Sequence, residues 1–144
     1  MLGNITTLFR ALRPSRRGPP PPTPRRVLLS YGDEDVSRWL VNLLRRMDGL
    51  VCQETDGEWA EVERAAFRLA PHLILLDARR IDSRSVNLVR RLKRRLPETK
   101  VYLLGLDEGL GYNSSAQRAG ADGYVSTDRV VESLEMILGP DNQA

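Results

Sequence analysis

Several things are scarce in this chain of 144 residues, and each scarcity excludes something. There is one cysteine, Cys52, so no intrachain disulfide can form, and a reducing, cytoplasmic setting is expected. There is one histidine, His72, so neither a histidine cluster nor any Cys/His zinc spacing can be drawn. No apolar run approaches the roughly 18 residues that a membrane-spanning helix needs. Met1 to Arg13 lacks the apolar core of a secretory signal. No Ser/His/Asp or Cys/His pattern is supported. Gly109-Leu110-Gly111-Tyr112 lacks the third glycine of a dinucleotide-binding loop. An enzyme is therefore not expected.

Acid is missing from the start of the chain. Residues 1–26 hold six arginines (Arg10, Arg13, Arg16, Arg17, Arg25, Arg26) and no aspartate or glutamate. The formal net charge of +3 hides this split, because the remainder of the chain carries more acid than base. The basic character thus belongs to the tail and does not argue that the folded part binds nucleic acid. Gly18-Pro19-Pro20-Pro21-Pro22-Thr23-Pro24 reads as an extended polyproline spacer. Ahead of it, Leu2, Ile5, Leu8, Phe9 and Leu12 fall on one helical face, but an isolated helix this short is marginal, so a frayed tail is expected. The arginine-rich start resembles an organelle transit peptide, yet proline follows it where such leaders are rich in serine. The expected division is a disordered basic tail over residues 1–25, one domain over 26–139 and a short tail over 140–144.

Hydrophobic residues make up 41% of the chain, enough for a core. From Arg26 onward, short apolar runs alternate with amphipathic stretches. The runs are Val27–Ser30, Val51–Glu54, Leu73–Leu76, Val101–Leu104 and Gly123–Ser126. Three of them are continuously apolar, the mark of strands covered on both faces. Between them Val36, Leu40, Leu43, Leu44 and Met47 repeat at helical spacing. So do Trp59, Val62, Ala66 and Leu69; then Val86, Val89, Leu92 and Leu96; and last Val130, Val131, Leu134, Ile137 and Leu138. The stretch from Asp107 to Ala119 is a weaker helix, with Asn113 or Ser114 as its cap. Right-handed crossovers then predict an α/β doubly wound, flavodoxin-like parallel sheet of five strands, in order 2-1-3-4-5. Function in such folds sits at the carboxyl ends of the strands.

Residues at those ends carry a resemblance. Pro71-His72-Leu73-Ile74-Leu75-Leu76-Asp77 resembles the third strand of response-regulator receiver domains, which ends in the phosphoacceptor aspartate. Ala119-Gly120-Ala121-Asp122-Gly123-Tyr124 resembles that family's entry to its fifth strand, and Glu54-Thr55-Asp56-Gly57 its second strand and turn. The likeness covers about residues 26–139. It implies a phosphoacceptor position at Asp77 and a switch aromatic at Tyr124. It also implies an acid pair that with Asp77 holds magnesium, a hydroxyl ending strand four and a lysine ending strand five. Here the acid pair falls on Tyr31 and Gly32, the hydroxyl on Gly105 and the lysine on Thr127. Only Asp77 is kept, with Asp33 just beyond the pair. A register shifted by two would bring Asp33 and Glu34 to the pair, but it moves Val36 and Leu40 off their spacing. The gapless register is preferred. In either register the lysine and the hydroxyl are missing.

The loop after Asp77 also departs, with Arg79-Arg80-Ile81-Asp82 where the family has a Met-Pro-Gly-type run. Two guanidinium groups there either neutralise Asp77 without a metal or point to solvent. Arg84, Arg90, Arg91, Lys93, Arg94 and Arg95 make a basic helix face, more often solvated than a phosphate or acidic-partner site.

The resemblance implies an atypical receiver, or pseudo-receiver, in two-component phosphorelay signalling. It would act as an interaction module independent of phosphorylation and need no cofactor. Its partners would be signalling proteins, such as a histidine kinase or an output protein, with no direct contact to DNA. One alternative is a working phosphoacceptor that takes a phosphoryl group on Asp77 with Mg2+, held by Asp77 and, if anything else, Asp33. Another is a small ligand-binding domain on the same scaffold, which fold alone permits.

Overall fold

The computed structural model describes residues 23–55, 57–106 and 116–139. Five strands form one sheet: β1 (Arg25–Ser30), β2 (Leu50–Thr55), β3 (Leu73–Asp77), β4 (Lys100–Gly105) and β5 (Gly123–Ser126). All neighbours pair in parallel, in the order β2-β1-β3-β4-β5. The helices between them are α1 (Glu34–Arg45), α2 (Trp59–Leu69), α3 (Ser83–Arg95), a helical run at 116–119 (α4) and α5 (Val130–Leu138). Short 3-10 turns, Ala78–Arg80 and Thr127–Arg129, follow β3 and β5. This is the doubly wound sheet that the alternating pattern predicts. The cap expected at Asn113 or Ser114 lies outside the described residues, as do the proline spacer up to Pro22 and the tail after Gly139.

The alternation of side chains across the strands builds two cores. Val27, Leu29, Leu73, Leu75, Leu104 and Val125 pack against α1 and α5 on one face. Leu28, Ile74, Leu76, Val101 and Leu103 pack against α2, α3 and Ala116 of α4 on the other. β3 is buried along its whole length, which is why Leu73-Ile74-Leu75-Leu76 shows no polar alternation.

Two of the helices start where a side chain satisfies their first amides. Asp33 Oδ1 accepts from the Val36 amide at 3.0 Å and caps α1. Asp82 and Ser85 form a reciprocal capping box on α3: the Ser85 amide donates to Asp82 Oδ1 at 3.0 Å, and the Asp82 amide donates to Ser85 Oγ at 2.6 Å. Gly120 has φ of +86°, a left-handed conformation that glycine takes without strain, and it turns the chain from α4 toward β5.

Candidate functional site

β3 delivers Asp77 to the centre of the sheet's carboxyl end, where the residue is 1% exposed. A buried carboxylate needs donors, and both oxygens find them. Oδ2 accepts from the Gly32 amide at 2.9 Å. Oδ1 accepts from the Arg79 amide at 2.9 Å, a short turn that starts the 3-10 segment. The Arg79 guanidinium closes on the same carboxylate, with Nε 3.4 Å from Oδ1 and Nη2 3.4 Å from Oδ2. Its charge also lies over the Tyr31 ring, 5.3 Å from the centroid. The hydrogen bonds from Arg79, and then the charge of Asp77, hold the arginine's pKa above its ordinary value.

Arg80, adjacent in sequence, does something else. Its guanidinium stacks on Trp59 at 4.5 Å from the ring centroid. The side chain passes over two glycines. A Cβ at Gly32 would stand 3.2 Å from Arg80 Cδ and 3.0 Å from Asp77 Oδ2, and one at Gly57 would stand 2.6 Å from Arg80 Nη1. Gly57 also has φ of +98°, and it is this backbone conformation that calls for glycine there. Of the two arginines in this loop, one therefore neutralises Asp77, and the other joins the β3–α3 loop to the start of α2.

The remaining positions are placed as follows. Tyr31 is a buried member of the α1/α5 core. Gly105 ends β4 against Tyr124: a Cβ there would lie 2.3 Å from the Tyr124 hydroxyl and 3.0 Å from two ring carbons. Tyr124 thus lies inward and fills the volume that a side chain at 105 would take. Thr127 is buried in the turn after β5 and lines a hollow of about 380 Å³ with Trp39, Leu43 and Val131. Among the described residues no hydrogen bond joins Thr127 to Asp77. Asp33 is exposed and occupied as the cap of α1. Glu34 lines an open hollow of about 540 Å³ with Arg38, Glu54 and Thr55, and Ser37 Oγ donates to Glu54 Oε2.

A magnesium ion of the kind the resemblance implies needs several oxygen ligands in near-octahedral array. Among the described residues no group of three His, Cys, Asp or Glu side chains is arranged to hold a metal ion. Asp77 already has protein donors on both oxygens, and a guanidinium stands against it. The donor set does not fit the ion.

Sequence reasoning missed three partners here: the Gly32 amide, the Tyr31 ring under Arg79, and Trp59 under Arg80. Trp59 entered only as one apolar residue of a helix face. The nearby glycines, Gly32 and Gly57, were the available signal, since each marks a close approach of another group.

The chain matches no family model. Among curated proteins it is 28% identical over 118 residues to the transcriptional regulatory protein MctR of Rhizobium johnstonii. That match takes in 79% of this chain and 55% of MctR, so the chain spans about half the length of that relative. Among solved structures, it resembles a two-component response regulator from Clostridium difficile, with TM-score 0.65 and 18% identity over 83% of this chain and 99% of that one. It also resembles a candidate pilus assembly protein, CpaE, from Burkholderia thailandensis, with TM-score 0.67 and 17% identity over 81% and 99%. The fold is that of the receiver domains.

Proposed function

We propose that the chain is a receiver domain of two-component signalling whose aspartate is neutralised from within, so that it works as a protein-interaction module without a phosphorylation cycle. The observation that carries this reading is the state of Asp77: buried, accepting from two backbone amides, and faced by Arg79. Phosphoryl transfer asks a protein mainly for positioning and for electrostatic stabilisation of the transferred group. Gly32, Gly105 and Thr127, at the positions where the family has an acid, a hydroxyl and a lysine, do not supply it. Tyr124, held inward by the empty space at Gly105, supports a single fixed state of the β4–β5 end. Partners would then meet the loops at the carboxyl end of the sheet, or the last strand and helix.

The test is incubation of the protein with acetyl phosphate and magnesium, read by intact mass. No stable phosphoryl adduct is expected, and beryllofluoride should leave the amide spectrum around Tyr124 unchanged. A magnesium-dependent gain of one phosphoryl group, lost in Asp77→Asn, would overturn the proposal. A second reading, a working phosphoacceptor, has one observation in its favour: Arg79 stands where it could meet a phosphoryl group on Asp77. The same experiment separates the two.

A further inference from the structure

The two faces of the sheet are covered differently. On one, α2 and α3 are joined to each other. Arg91 pairs with Glu63 through two contacts, at 2.7 and 2.9 Å, and the Arg95 guanidinium lies 5.4 Å from the centroid of the Phe67 ring. On the other, α1 and α5 pack on the same core, but among the described residues no hydrogen bond or ion pair joins them. A groove runs between them, with a hollow at each end. The hollow at the carboxyl end of the sheet, about 380 Å³, has Trp39 and Leu43 on one side and Val131 and Glu132 on the other. The hollow at the amino end, about 590 Å³, has Arg46 and Met47 on one side and Leu134, Glu135 and Leu138 on the other.

Both hollows have apolar walls and charged rims. Trp39, Leu43 and Met47 follow one another at intervals of four residues, so they form a stripe along α1 and the turn after it. Leu43, Met47, Val131 and Leu138 are only partly buried against the core. Trp39 is 50% exposed. The other tryptophan, Trp59, is covered by Arg80, whereas among the described residues no guanidinium lies over Trp39. A half-exposed tryptophan beside a hollow is the kind of residue that anchors a protein contact. The charges divide by end. Arg46, Asp48 and Glu135 stand at the amino-end hollow, and Asp128, Arg129 and Glu132 at the carboxyl-end one. All six are exposed, and none makes an ion pair among the described residues.

We propose that the groove between α1 and α5 is the contact surface of a twofold-symmetric dimer of this chain. A twofold axis across the middle of the groove lays the carboxyl-end hollow of one copy over the amino-end hollow of the other. It does so twice, because an isologous contact repeats each pairing. Trp39 of each copy then enters the amino-end hollow of the other copy, against Met47 and Leu138, and leaves water. The rims match as well. Arg46 of one copy meets Glu132 of the other, and Arg129 meets Glu135. A second copy fits better than an unlike partner because the groove complements itself. Each end carries both signs of charge, and inversion sets an opposite against each member of these pairs. A partner helix of one charge sign would meet like charges at both ends.

The full chain is to be followed by sedimentation velocity over a range of concentrations. The mass is expected to rise to that of two chains. Trp39→Ala should weaken dimerisation roughly tenfold or more, as truncation of a central aromatic anchor does. The decisive measurement uses two charge reversals. Arg46→Glu sets a carboxylate against Glu132 of the other copy, and Glu132→Arg sets a guanidinium against Arg46. Each protein alone is therefore expected to dimerise far more weakly than the wild type. Mixed in equal amounts, the two should form a heterodimer, because both of its pairings are again between opposite charges. That recovery also guards against a folding defect in either variant. A monomer mass for the wild-type chain up to millimolar concentration would overturn the proposal and leave the groove to a different partner. So would dimers that all three variants retain unweakened, which would place the contact elsewhere. So would a mixture of the two charge-reversal proteins that associates no better than either alone.

Discussion

Asp77 illustrates how far one residue's role depends on its neighbours. In a cluster of carboxylates, removing one charge relieves repulsion, and an asparagine there would be tolerated or stabilising. Here Asp77 accepts from the Gly32 and Arg79 amides and from a guanidinium. An asparagine turns one acceptor into a donor, which then faces another donor. Leaving a buried hydrogen-bonding group unsatisfied costs about 1–3 kcal/mol. Asp77→Asn is therefore expected to lower stability by about that amount in urea unfolding, while partner binding is kept. Stabilisation by this substitution would show that Asp77 sits among like charges. Gly105 gives a second expectation. A serine there cannot coexist with a Tyr124 hydroxyl 2.3 Å from its Cβ, so the ring must leave. Such overpacking typically costs about 1–3 kcal/mol. Gly105→Ser should show that loss together with a more exposed Tyr124 by fluorescence quenching, and most of the penalty should vanish in the Tyr124→Ala background, as a double-mutant cycle would read it.

Among the elements, the starts of β1 and β3 are joined by the single histidine. The Arg26 amide donates to His72 Nδ1 at 3.0 Å, and the His72 amide donates to the Arg26 carbonyl at 2.8 Å. The ring therefore carries its proton on Nε2 and is neutral in this arrangement. Burial first, and then the charges of Arg26 and Arg25, lower the His72 pKa below 6.5. A lowered histidine pKa means that the unfolded chain binds the proton more tightly. The contribution to stability is thus complete above the unfolded value of about 6.5 and is lost as pH falls from there toward the folded value. The thermal midpoint should decline over that window before the carboxylates begin to titrate, and His72→Gln should flatten the decline. A midpoint independent of pH in the wild-type protein would contradict this account. At the same end of the sheet, the starts of β4 and β5 are held by Asp122, whose carboxylate accepts from Lys93 Nζ and from the Val101 amide, each at 2.8 Å. That pair of contacts ties α3 and β4 to the chain entering β5. It gives a structural reason for the acid in Ala121-Asp122-Gly123, beside a glycine whose Cβ would stand 2.7 Å from the Tyr102 ring.

The whole molecule rests on two apolar layers, one on each face of a sheet whose middle strand is buried throughout. Those layers are complete within the described residues from β1 onward. Residues 1–22 are therefore expected to add little to folding. Their removal should leave the thermal midpoint almost unchanged, where a loss of 1 kcal/mol would move it by roughly 4 °C. A drop of several degrees would mean that the segment packs on the domain. Cys52 belongs to the same interior. Burial, only partly offset by Arg45, raises its thiol pKa to about 11. The thiol should therefore stay inert to alkylating reagents at neutral pH until the protein unfolds. Charge is also distributed by architecture. Parallel strands and returning helices gather basic last turns at one end and acidic first turns, such as Glu34 and Asp35 on α1, at the other.

The strand order and the two-sided core were legible in the chain because their signals are local and periodic. Leu73-Ile74-Leu75-Leu76 cannot face water on either side, and apolar residues at helical spacing need a sheet to cover. The position of Asp77 was equally legible, since a polar residue ending a buried strand must emerge where the loops begin. What the two arginines do was decided only by the tertiary structure. Sequence places Arg79 and Arg80 side by side with equal claims on Asp77, and a long flexible side chain carries no local mark of its partner. Arg79 turns to the carboxylate because its own amide is already bound there. Arg80 turns away because Trp59 and the bare backbones of Gly32 and Gly57, distant in sequence, leave it a surface to lie on. The inward pose of Tyr124 has the same origin: the space it fills belongs to Gly105 on the neighbouring strand, and only strand pairing brings the two together.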